Sequence, residues 1–252
     1  MSSKIMIEAN HLTKNFERKI ALSSLSFTVK QGELVALIGP SGAGKTTLLN
    51  SIAGLIPLSS GDLLIDSKSL SAHKKGKSLA KKVGVIRQQF DLIGPLAVIH
   101  NVLVGKLSEW GTIKSLFSLL VPQEKDLAIK ALERVGLHGK AYEITSTLSG
   151  GEQQRVAMAR LMVQKPEIIL ADEPVASLDP ARADDILQML TKIVTEEKQT
   201  LITSLHSVEY ARKYFTRIIS MKNGEIFFDL PTEKVTDDLL AELYQLKSGV
   251  MA

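Results

Sequence analysis

The chain has 252 residues, of which 44% are apolar and 23% charged, with 31 basic against 27 acidic side chains. That length can bury a real core in one large or two small domains, and we expect no membrane span because no apolar run approaches roughly 18 to 20 residues. The absence of cysteine excludes disulfides and thiolate metal sites.

The first part of the chain predicts strands around a glycine loop. MSSKIMIEAN lacks the apolar core of a secretory signal, so we expect a cytosolic protein. Alternating apolar residues predict half-exposed strands at 5–9 and 25–29, joined by a polar turn. The apolar run at 33–38 predicts a buried strand, and helical periodicity occupies 46–55. A strand, a loop and a helix therefore follow one another.

The middle of the chain changes from strand to helix signals. Short strands are predicted at 62–66 and 83–87. The lysine-rich segment between them, HKKGKSLAKK, has no interleaved aromatic residue, which favours a solvated face, and we expect no nucleic-acid partner. Residues 101–161 have helical spacing and almost no strand signal, which predicts a helical subdomain inserted into an α/β scaffold.

Strand signals return in the last third of the chain. They lie at 168–171, 200–205 and 217–221, with an amphipathic helix at 181–195. Lys222, Asn223 and Gly224 form a turn signal that predicts a hairpin with 225–228. Strands alternating with helices predict a mostly parallel sheet covered by helices, with antiparallel strands at its edge.

The segment GPSGAGKTT matches the phosphate-loop pattern, Gly-x-x-x-x-Gly-Lys-Ser/Thr, in its required place between a strand and a helix. Backbone N–H groups and the helix N-terminus would bind phosphates, Lys45 would reach the β- and γ-phosphates, and Thr46 would ligate Mg²⁺. The pattern therefore predicts the phosphates of a nucleotide and Mg²⁺ as ligands. The residues assigned to the phosphates are Gly39, Pro40, Ser41, Gly42, Ala43, Gly44, Lys45, Thr46 and Thr47.

Two adjacent carboxylates, Asp172 and Glu173, follow the apolar run IILA. They are expected at the carboxyl end of a buried strand, where ligands bind in sheets of this kind. We predict that Asp172 holds Mg²⁺ and that Glu173 polarises the water that attacks the γ-phosphate. Without a cation, burying both carboxylates would be costly.

A second candidate phosphate site lies in TLSGGEQQRVAMAR. Ser149, Gly150 and Gly151 precede a helix, so their N–H groups and the Ser149 hydroxyl are placed to donate to phosphate oxygens. Taken alone, this segment is more simply a helix cap.

These motifs together resemble the ATP-binding subunits of ABC transporters, over nearly the whole chain. The phosphate loop, LSGGE, Asp172-Glu173, the SLD turn at 177–179 and His206 occur in that family's order and spacing. The resemblance implies one ABC ATPase domain at 1–252. Within it, 1–90 and 162–252 would form a P-loop core with an antiparallel β edge, and about 91–161 a helical subdomain.

The resemblance also implies that two copies pair head to tail around two ATP molecules. Ser149, Gly150 and Gly151 of one copy would then contact the γ-phosphate held by Lys45 of the other, and Glu152 would border the same nucleotide-binding segment. Such donors would close a site that excludes water. By the same resemblance, Asp179 would lie at the dimer interface, and His206 would contact the γ-phosphate and the attacking water.

Two further residues take their roles from the resemblance. Gln88 matches the glutamine that reaches Mg²⁺ and the attacking water, with Gln89 as the second candidate. Phe16 matches the aromatic residue that stacks on adenine, although a small surface cluster would explain a lone Phe equally well.

Three positions depart from the common family pattern. Glu152 stands where many members have Gln, Arg87 where an apolar aromatic is common, and Ser207 where an acidic residue is common. None of these departures removes a catalytic group, but Glu152 adds a negative charge near the expected interface.

A finer resemblance points to the ATP-binding components of phosphonate importers, whose relatives also import phosphite. The segments ILADEPVASLDP, TSLHSVEYARKYFTRII and DLPTEKVTDDLLAELY carry it. It implies membrane permease subunits as partners, a periplasmic solute-binding protein acting through them, and a peripheral position on the cytoplasmic face of the inner membrane. The alternative is an ABC ATPase for lipoprotein or lipid export or amino-acid import, because no residue here reads the solute.

The insertion preceding LAIKALERVGL carries apolar residues at helical spacing, which fit either a patch for a membrane partner or a core. They are Trp110, Ile113, Leu116, Phe117 and Leu120.

Overall fold

The computed structural model describes residues 4–17, 19–73, 78–87, 89–111, 114–115, 118, 122–176 and 178–244. Its strands are β1 (Ile5–Phe16), β2 (Lys19–Lys30), β3 (Leu34–Ile38), β4 (Ser60–Ile65), β5 (Lys68–Ser69), β6 (Val83–Ile86), β7 (Ile168–Asp172), β8 (Thr200–Ser204), β9 (Arg217–Lys222) and β10 (Glu225–Pro231). Its helices are α1 (Lys45–Ile52), α2 (Leu70–His73), α3 (Ser78–Lys82), α4 (Val98–Leu103), α5 (Lys125–Arg134), α6 (Gly150–Gln164), α7 (Pro180–Glu196), α8 (Val208–Tyr214) and α9 (Asp237–Tyr244). Short 3₁₀ helices lie at Val104–Lys106, His138–Lys140, Thr145–Thr147 and Thr232–Lys234.

The central sheet has the strand order β10-β9-β3-β8-β7-β6. Its strands pair in parallel, except that β10 pairs antiparallel with β9 at the edge. In β3, Ala36 and Ile38 belong to one hydrophobic cluster, and Val35 and Leu37 belong to the other. The sheet is therefore buried on both faces, which explains why its strands appear in the sequence as continuous apolar runs.

A second sheet, in the order β2-β1-β4-β5, is antiparallel and covers one face of the central sheet together with α1. The sequence predicted a polar turn over most of 10–24, which is wrong. Strand β1 continues to Phe16 and β2 begins at Lys19. Buried Leu12 and Leu22 anchor these extensions, while several register shifts break the simple alternation that a strand would show in sequence.

The helices between β6 and β7 pack on the opposite side. Helix α6 contacts both α4 and α5, and all three contribute to the hydrophobic cluster that also covers the sheet. Trp110 lies in that cluster with 5% of its surface exposed, so this residue has the core role and not the patch role. Ile113, Leu116, Phe117 and Leu120 lie outside the described residues. The division at about 91 and 161 stays a prediction.

The strand order determines where functional groups meet. Strand β8 lies between β3 and β7, and the three run parallel. The segments after Ile38, Asp172 and Ser204 therefore emerge side by side at the carboxyl end of the sheet. The α/β class with a mostly parallel sheet and an antiparallel edge is confirmed. Within the described ranges, no helix has the length and apolar character required to span a bilayer.

Candidate active site

The phosphate loop, residues 39–47, joins β3 to α1. Lys45 is 5% exposed, and its Nζ donates hydrogen bonds to the carbonyl oxygens of Gly39 at 2.7 Å and Pro40 at 3.2 Å. Burial lowers the pKa of this ammonium, while the carboxylates of Glu173 and Asp172 act in the opposite direction. The loop thus holds a buried cation whose hydrogen-bond partners are neutral carbonyls, an arrangement suited to an incoming anion.

The loop backbone is shaped for a ligand. Gly44, which precedes α1, has φ +106°, and a Cβ there would collide with the Ala21 carbonyl oxygen. No side chain caps the N-terminus of α1 and no acidic residue lies in its first turn. A cavity of about 270 Å³ lies over this helix start, lined by residues 41–47 together with Phe16, Lys19, Ala21 and Glu173. An anion in this cavity would meet free N–H groups and the positive end of α1.

Four residues from three elements form a hydrogen-bond network beside the cavity. Ser204 Oγ donates to Asp172 Oδ1 at 2.6 Å, and Thr46 Oγ1 donates to the same oxygen at 3.2 Å. The Glu173 N–H donates to Ser204 Oγ at 2.8 Å. This network fixes the side chain of Asp172 and the backbone of Glu173 relative to the phosphate loop. Sequence reasoning missed Ser204, although a polar residue ending the apolar run TLITS was an available signal.

Glu173 and His206 lie at the end of the same two strands. His206 Nε2 is 2.7 Å from Glu173 Oε1, and the side chains are 51% and 22% exposed. Glu173 has φ +48°, which is uncommon for a residue with a side chain and costs of order 1 to 3 kcal/mol. The turn directs this carboxylate towards the cavity over the phosphate loop, whose lining includes it.

The same groups fit magnesium only in the presence of phosphate. No cluster of three or more His, Cys, Asp or Glu side chains suited to a metal occurs in the part of the chain that the structure describes. Thr46 Oγ1 and Asp172 Oδ1 nevertheless converge beside the cavity. Mg²⁺ typically takes one or two protein oxygens, waters and substrate phosphates, so this pair fits a cation that arrives with a nucleotide.

The LSGGE segment, residues 148–152, lies apart from this cavity. Ser149 is the N-cap of α6 and forms a capping box with Glu152. The Ser149 N–H and hydroxyl each donate to Glu152 Oε2 at 2.9 Å. Lys140 Nζ lies 2.7 Å from Glu152 Oε1. The structure therefore contains the helix cap that the sequence offered as the simpler interpretation, and in it both Ser149 donors are engaged by Glu152.

Gly150 and Gly151 have no conformational or steric requirement for glycine within one chain. Neither has a positive φ, and a Cβ built on either would meet no atom of the described residues within 4 Å. Ser149 and Gly150 are exposed. These positions contrast with Gly44 of the phosphate loop, where the same chain supplies the obstruction.

The remaining predicted site residues are exposed or lie outside the described residues. Phe16 ends β1 beside the cavity, is 47% exposed, and has Lys14 Nζ 5.0 Å from its ring centroid. Asp179 caps α7 by accepting from the Arg182 N–H at 3.1 Å. Gln88 lies outside the described residues, so its roles stay predictions. Gln89 is exposed.

Two departures from the family pattern have local structural roles. Ser207 is the N-cap of α8, and its Oγ accepts from the Tyr210 N–H at 3.3 Å. Arg87 is exposed and lies 3.2 Å from the Asp91 carboxylate.

Sequence reasoning also missed Gln154. This residue of α6 is 1% exposed, and its side chain donates to the carbonyl of Pro174, which directly follows Glu173.

Comparison with known families decides the assignment. A family described as ABC transporter matches residues 22–176. The chain belongs to the ABC transporter family. This cassette is 43% identical over 248 residues to the phosphonates import ATP-binding protein PhnC 1 of Nostoc sp., covering 97% of this chain and 94% of that protein. It is 42% identical over 243 residues to the phosphonates import ATP-binding protein PhnC of Shouchella clausii, covering 95% and 91%.

Solved structures agree with the fold of this cassette. The ADP conformation of MJ1267, an ATP-binding cassette of an ABC transporter, matches with a TM-score of 0.83 at 25% identity, covering 95% of this chain and 98% of that one. The dimeric structure of MJ0796, a bacterial ABC transporter cassette, matches with a TM-score of 0.77 at 31% identity, covering 90% and 99%. The predicted ABC cassette fold is confirmed.

Proposed function

We propose that this protein is the ATP-hydrolysing subunit that energises import of phosphonates, and of small phosphorus oxyanions such as phosphite, through a membrane ABC transporter. The cassette is an ATPase of the ABC family. One observation supports that chemistry most strongly: Lys45, Thr46 and Glu173 line one cavity at the end of the parallel sheet, and Asp172 accepts a hydrogen bond from Thr46 beside it. The solute class rests on the 38–43% identical relatives that are named phosphonates import proteins.

The phosphate loop would bind the nucleotide phosphates. Lys45 would exchange its carbonyl partners for β- and γ-phosphate oxygens, and the free N–H groups of the loop and α1 would donate to the rest. Thr46 and Asp172 would hold Mg²⁺, which neutralises the charge that develops on the phosphates when it is bound. Phe16, which lines the cavity and is 47% exposed, would stack on the adenine ring.

Glu173 would act as the general base. Its carboxylate faces the cavity from a turn that Ser204 holds by a hydrogen bond to the Glu173 N–H. The carboxylate orients a water against the γ-phosphate and accepts its proton as the phosphorus–oxygen bond to ADP breaks. His206 is within hydrogen-bonding distance of Glu173 and fixes its orientation until the γ-phosphate and water engage both.

The LSGGE segment would complete the site of a second copy. Ser149 and Gly150 are exposed, away from the cavity of their own chain, and Gly150 and Gly151 leave open space where a side chain would project. A γ-phosphate presented by a head-to-tail partner would use that space and accept from the backbone N–H groups there. Glu152 and Asp179 would border this interface, and Gln88 would reach the metal and water.

The cassette would lie on the cytoplasmic face of the inner membrane as a homodimer bound to permease subunits. A periplasmic solute-binding protein would deliver the solute to the permease, so the cassette itself would never contact it. ATP-dependent closure of the dimer would then be coupled to movement of the permease.

Transport in proteoliposomes tests the solute class. The cassette is purified with the permease and the binding protein of its transporter, and the uptake of labelled methylphosphonate is measured with Mg-ATP. We expect uptake that is competed by other phosphonates and abolished by Glu173→Gln. Uptake of an amino acid with none of methylphosphonate would contradict the proposed solute while leaving the ATPase assignment intact.

A further inference from the structure

The LSGGE segment forms an ion pair with Lys140, a residue outside the predicted site. Lys140 ends the short 3₁₀ helix His138–Lys140, and its Nζ lies 2.7 Å from Glu152 Oε1. The other carboxylate oxygen of Glu152 accepts from the N–H and the hydroxyl of Ser149. One carboxylate therefore connects Lys140 to the residue expected to meet a partner's phosphate.

Glu152 poses an electrostatic problem at that place. The hydrogen bond from Lys140, together with the two from Ser149, lowers the pKa of its carboxyl to about 2, so it is anionic throughout the physiological range. A fixed negative charge in direct contact with Ser149 opposes an approaching γ-phosphate. The same carboxylate also organises the serine through the capping box, so its complete removal is not simply favourable.

Lys140 offsets the negative charge of Glu152 by direct contact. The charged groups that face it are Glu152 at 2.7 Å and Glu143 at 3.6 Å, and the side chain of Lys140 is 36% exposed. Glu143 is more distant and more exposed, at 46% against 29% for Glu152. The shorter contact to the less exposed carboxylate makes Glu152 the principal partner of Lys140.

We propose that Lys140 is a positioning residue for ATP-dependent dimerisation: it neutralises Glu152 and keeps that carboxylate on the Ser149 donors, so that Gly150 and Gly151 meet the partner's γ-phosphate without an opposing charge. This inference rests on the proposed function. Removing Lys140 frees an uncompensated anion at the interface. Changing Glu152 to Gln removes the anion and thereby the need for Lys140.

The two residues therefore have unequal and coupled effects. In an otherwise identical chain, Lys140→Met weakens ATP-driven dimerisation about five-fold, the size expected for an exposed pair of charges. Glu152→Gln leaves dimerisation equal to or tighter than that of the parent. When Lys140→Met is added to Glu152→Gln, dimerisation changes less than about two-fold. Without its carboxylate partner, Lys140 is a lone exposed lysine, and its attraction for the nucleotide of the other copy is largely screened in salt.

Sedimentation of the Glu173→Gln chain measures this directly. The Mg-ATP concentration that gives half-dimer is determined for the parent, for each single variant and for the double variant. Lys140→Arg, which keeps the charge, restores the parent value within about two-fold. Lys114→Met removes a lysine from a comparable exposed pair with Glu124 at 2.6 Å and leaves the value unchanged. Nucleotide affinity measured on dilute monomer stays constant in every variant.

Equal weakening by Lys140→Met with and without Glu152→Gln would overturn the proposal, as would loss of monomer nucleotide affinity. If the Glu173→Gln parent itself stays monomeric in Mg-ATP, the proposed dimeric function fails before the variants are compared. The two failures are therefore distinguishable.

Discussion

The imidazole of His206 lies 2.7 Å from the carboxylate of Glu173, Nε2 to Oε1, at the ends of the paired strands β8 and β7. The backbone of Glu173 is held in a left-handed conformation between Asp172 and buried Pro174. Glu173 thus adopts an unfavourable backbone conformation and places its side chain against His206. This arrangement is expected of a reacting group.

We expect Glu173→Gln to bind ATP, to lose turnover and to accumulate as an ATP-bound dimer. The amide keeps the shape of the side chain but accepts no proton, while the donors to the phosphates remain. Steady-state ATP hydrolysis and gel filtration with Mg-ATP measure both effects. Hydrolysis close to that of the parent would contradict the assigned base.

Ser204→Ala should lower kcat about ten-fold, equivalent to about 1.4 kcal/mol, with little change in the ATP concentration for half-maximal rate. The substitution removes the donor to Asp172 Oδ1 and the acceptor of the Glu173 N–H. Thr203→Val is the control, because it removes the buried hydroxyl of the preceding residue. The Oγ1 of Thr203 has no hydrogen-bond partner among the described residues, and the hydrolysis rates of the two variants are compared. Equal rates for the two variants would contradict the role of Ser204.

Phe16→Ala should raise the ATP concentration for half-saturation about ten-fold, because stacking on a base contributes roughly 1 to 3 kcal/mol. Phe16→Tyr should retain the parental value. Ile20→Ala is the matched control, since Ile20 is 59% exposed on the same hairpin and does not line the cavity. Fluorescent-nucleotide titration makes the measurement, and equal shifts for Phe16→Ala and Ile20→Ala would favour the alternative of a surface cluster.

Parts of this site were predictable because they are local in sequence. The phosphate loop, Asp172 and Glu173 each follow an apolar strand, and strand order alone brings them together. The contact between Lys140 and Glu152 was not predictable, because it depends on how the segment before α6 folds back onto that helix. Roles for Phe16, Gln88 and Asp179 came only from resemblance and remain predictions.

Secondary structure was likewise predictable only where its signal is local in sequence. Continuous apolar runs located β3, β7 and β8, because both faces of that sheet are buried. The ends of β1 and β2 were missed, since register shifts and solvent-facing polar residues there have no periodic signature.

An ion cluster far from the site predicts how stability changes with acid. Asp66 contacts Lys4 and Lys82, and hydrogen bonds from both lysines lower its pKa from 3.8 to about 2. A carboxyl whose pKa is depressed on folding stabilises the protein above its unfolded pKa, and this contribution is lost as pH falls from about 4 to about 2.

Asp66→Asn should therefore lower the free energy of unfolding by about 1 kcal/mol at pH 7 and have a shrinking effect below pH 4. Asn suits this position because Asp66 has φ +51°, a region that Asn tolerates. Urea unfolding of both chains at pH 7 and near pH 3 gives the comparison. A deficit that does not shrink in acid would contradict the ion-pair origin.

The central claim is that the phosphate loop of one copy and the LSGGE segment of another form one active site. The chain has no cysteine, so two single-cysteine chains can be made in the Glu173→Gln background, one with Ser41→Cys and one with Thr147→Cys. Both positions are exposed: Ser41 lies in the phosphate loop, and Thr147 directly precedes the LSGGE segment. A short bismaleimide is added to each chain alone and to their mixture, with and without Mg-ATP.

The account predicts a cross-linked dimer only in the mixture and only with Mg-ATP, because head-to-tail pairing juxtaposes unlike segments. Cross-linking of either chain with itself, or none in a mixture that sedimentation shows to be dimeric, would contradict it.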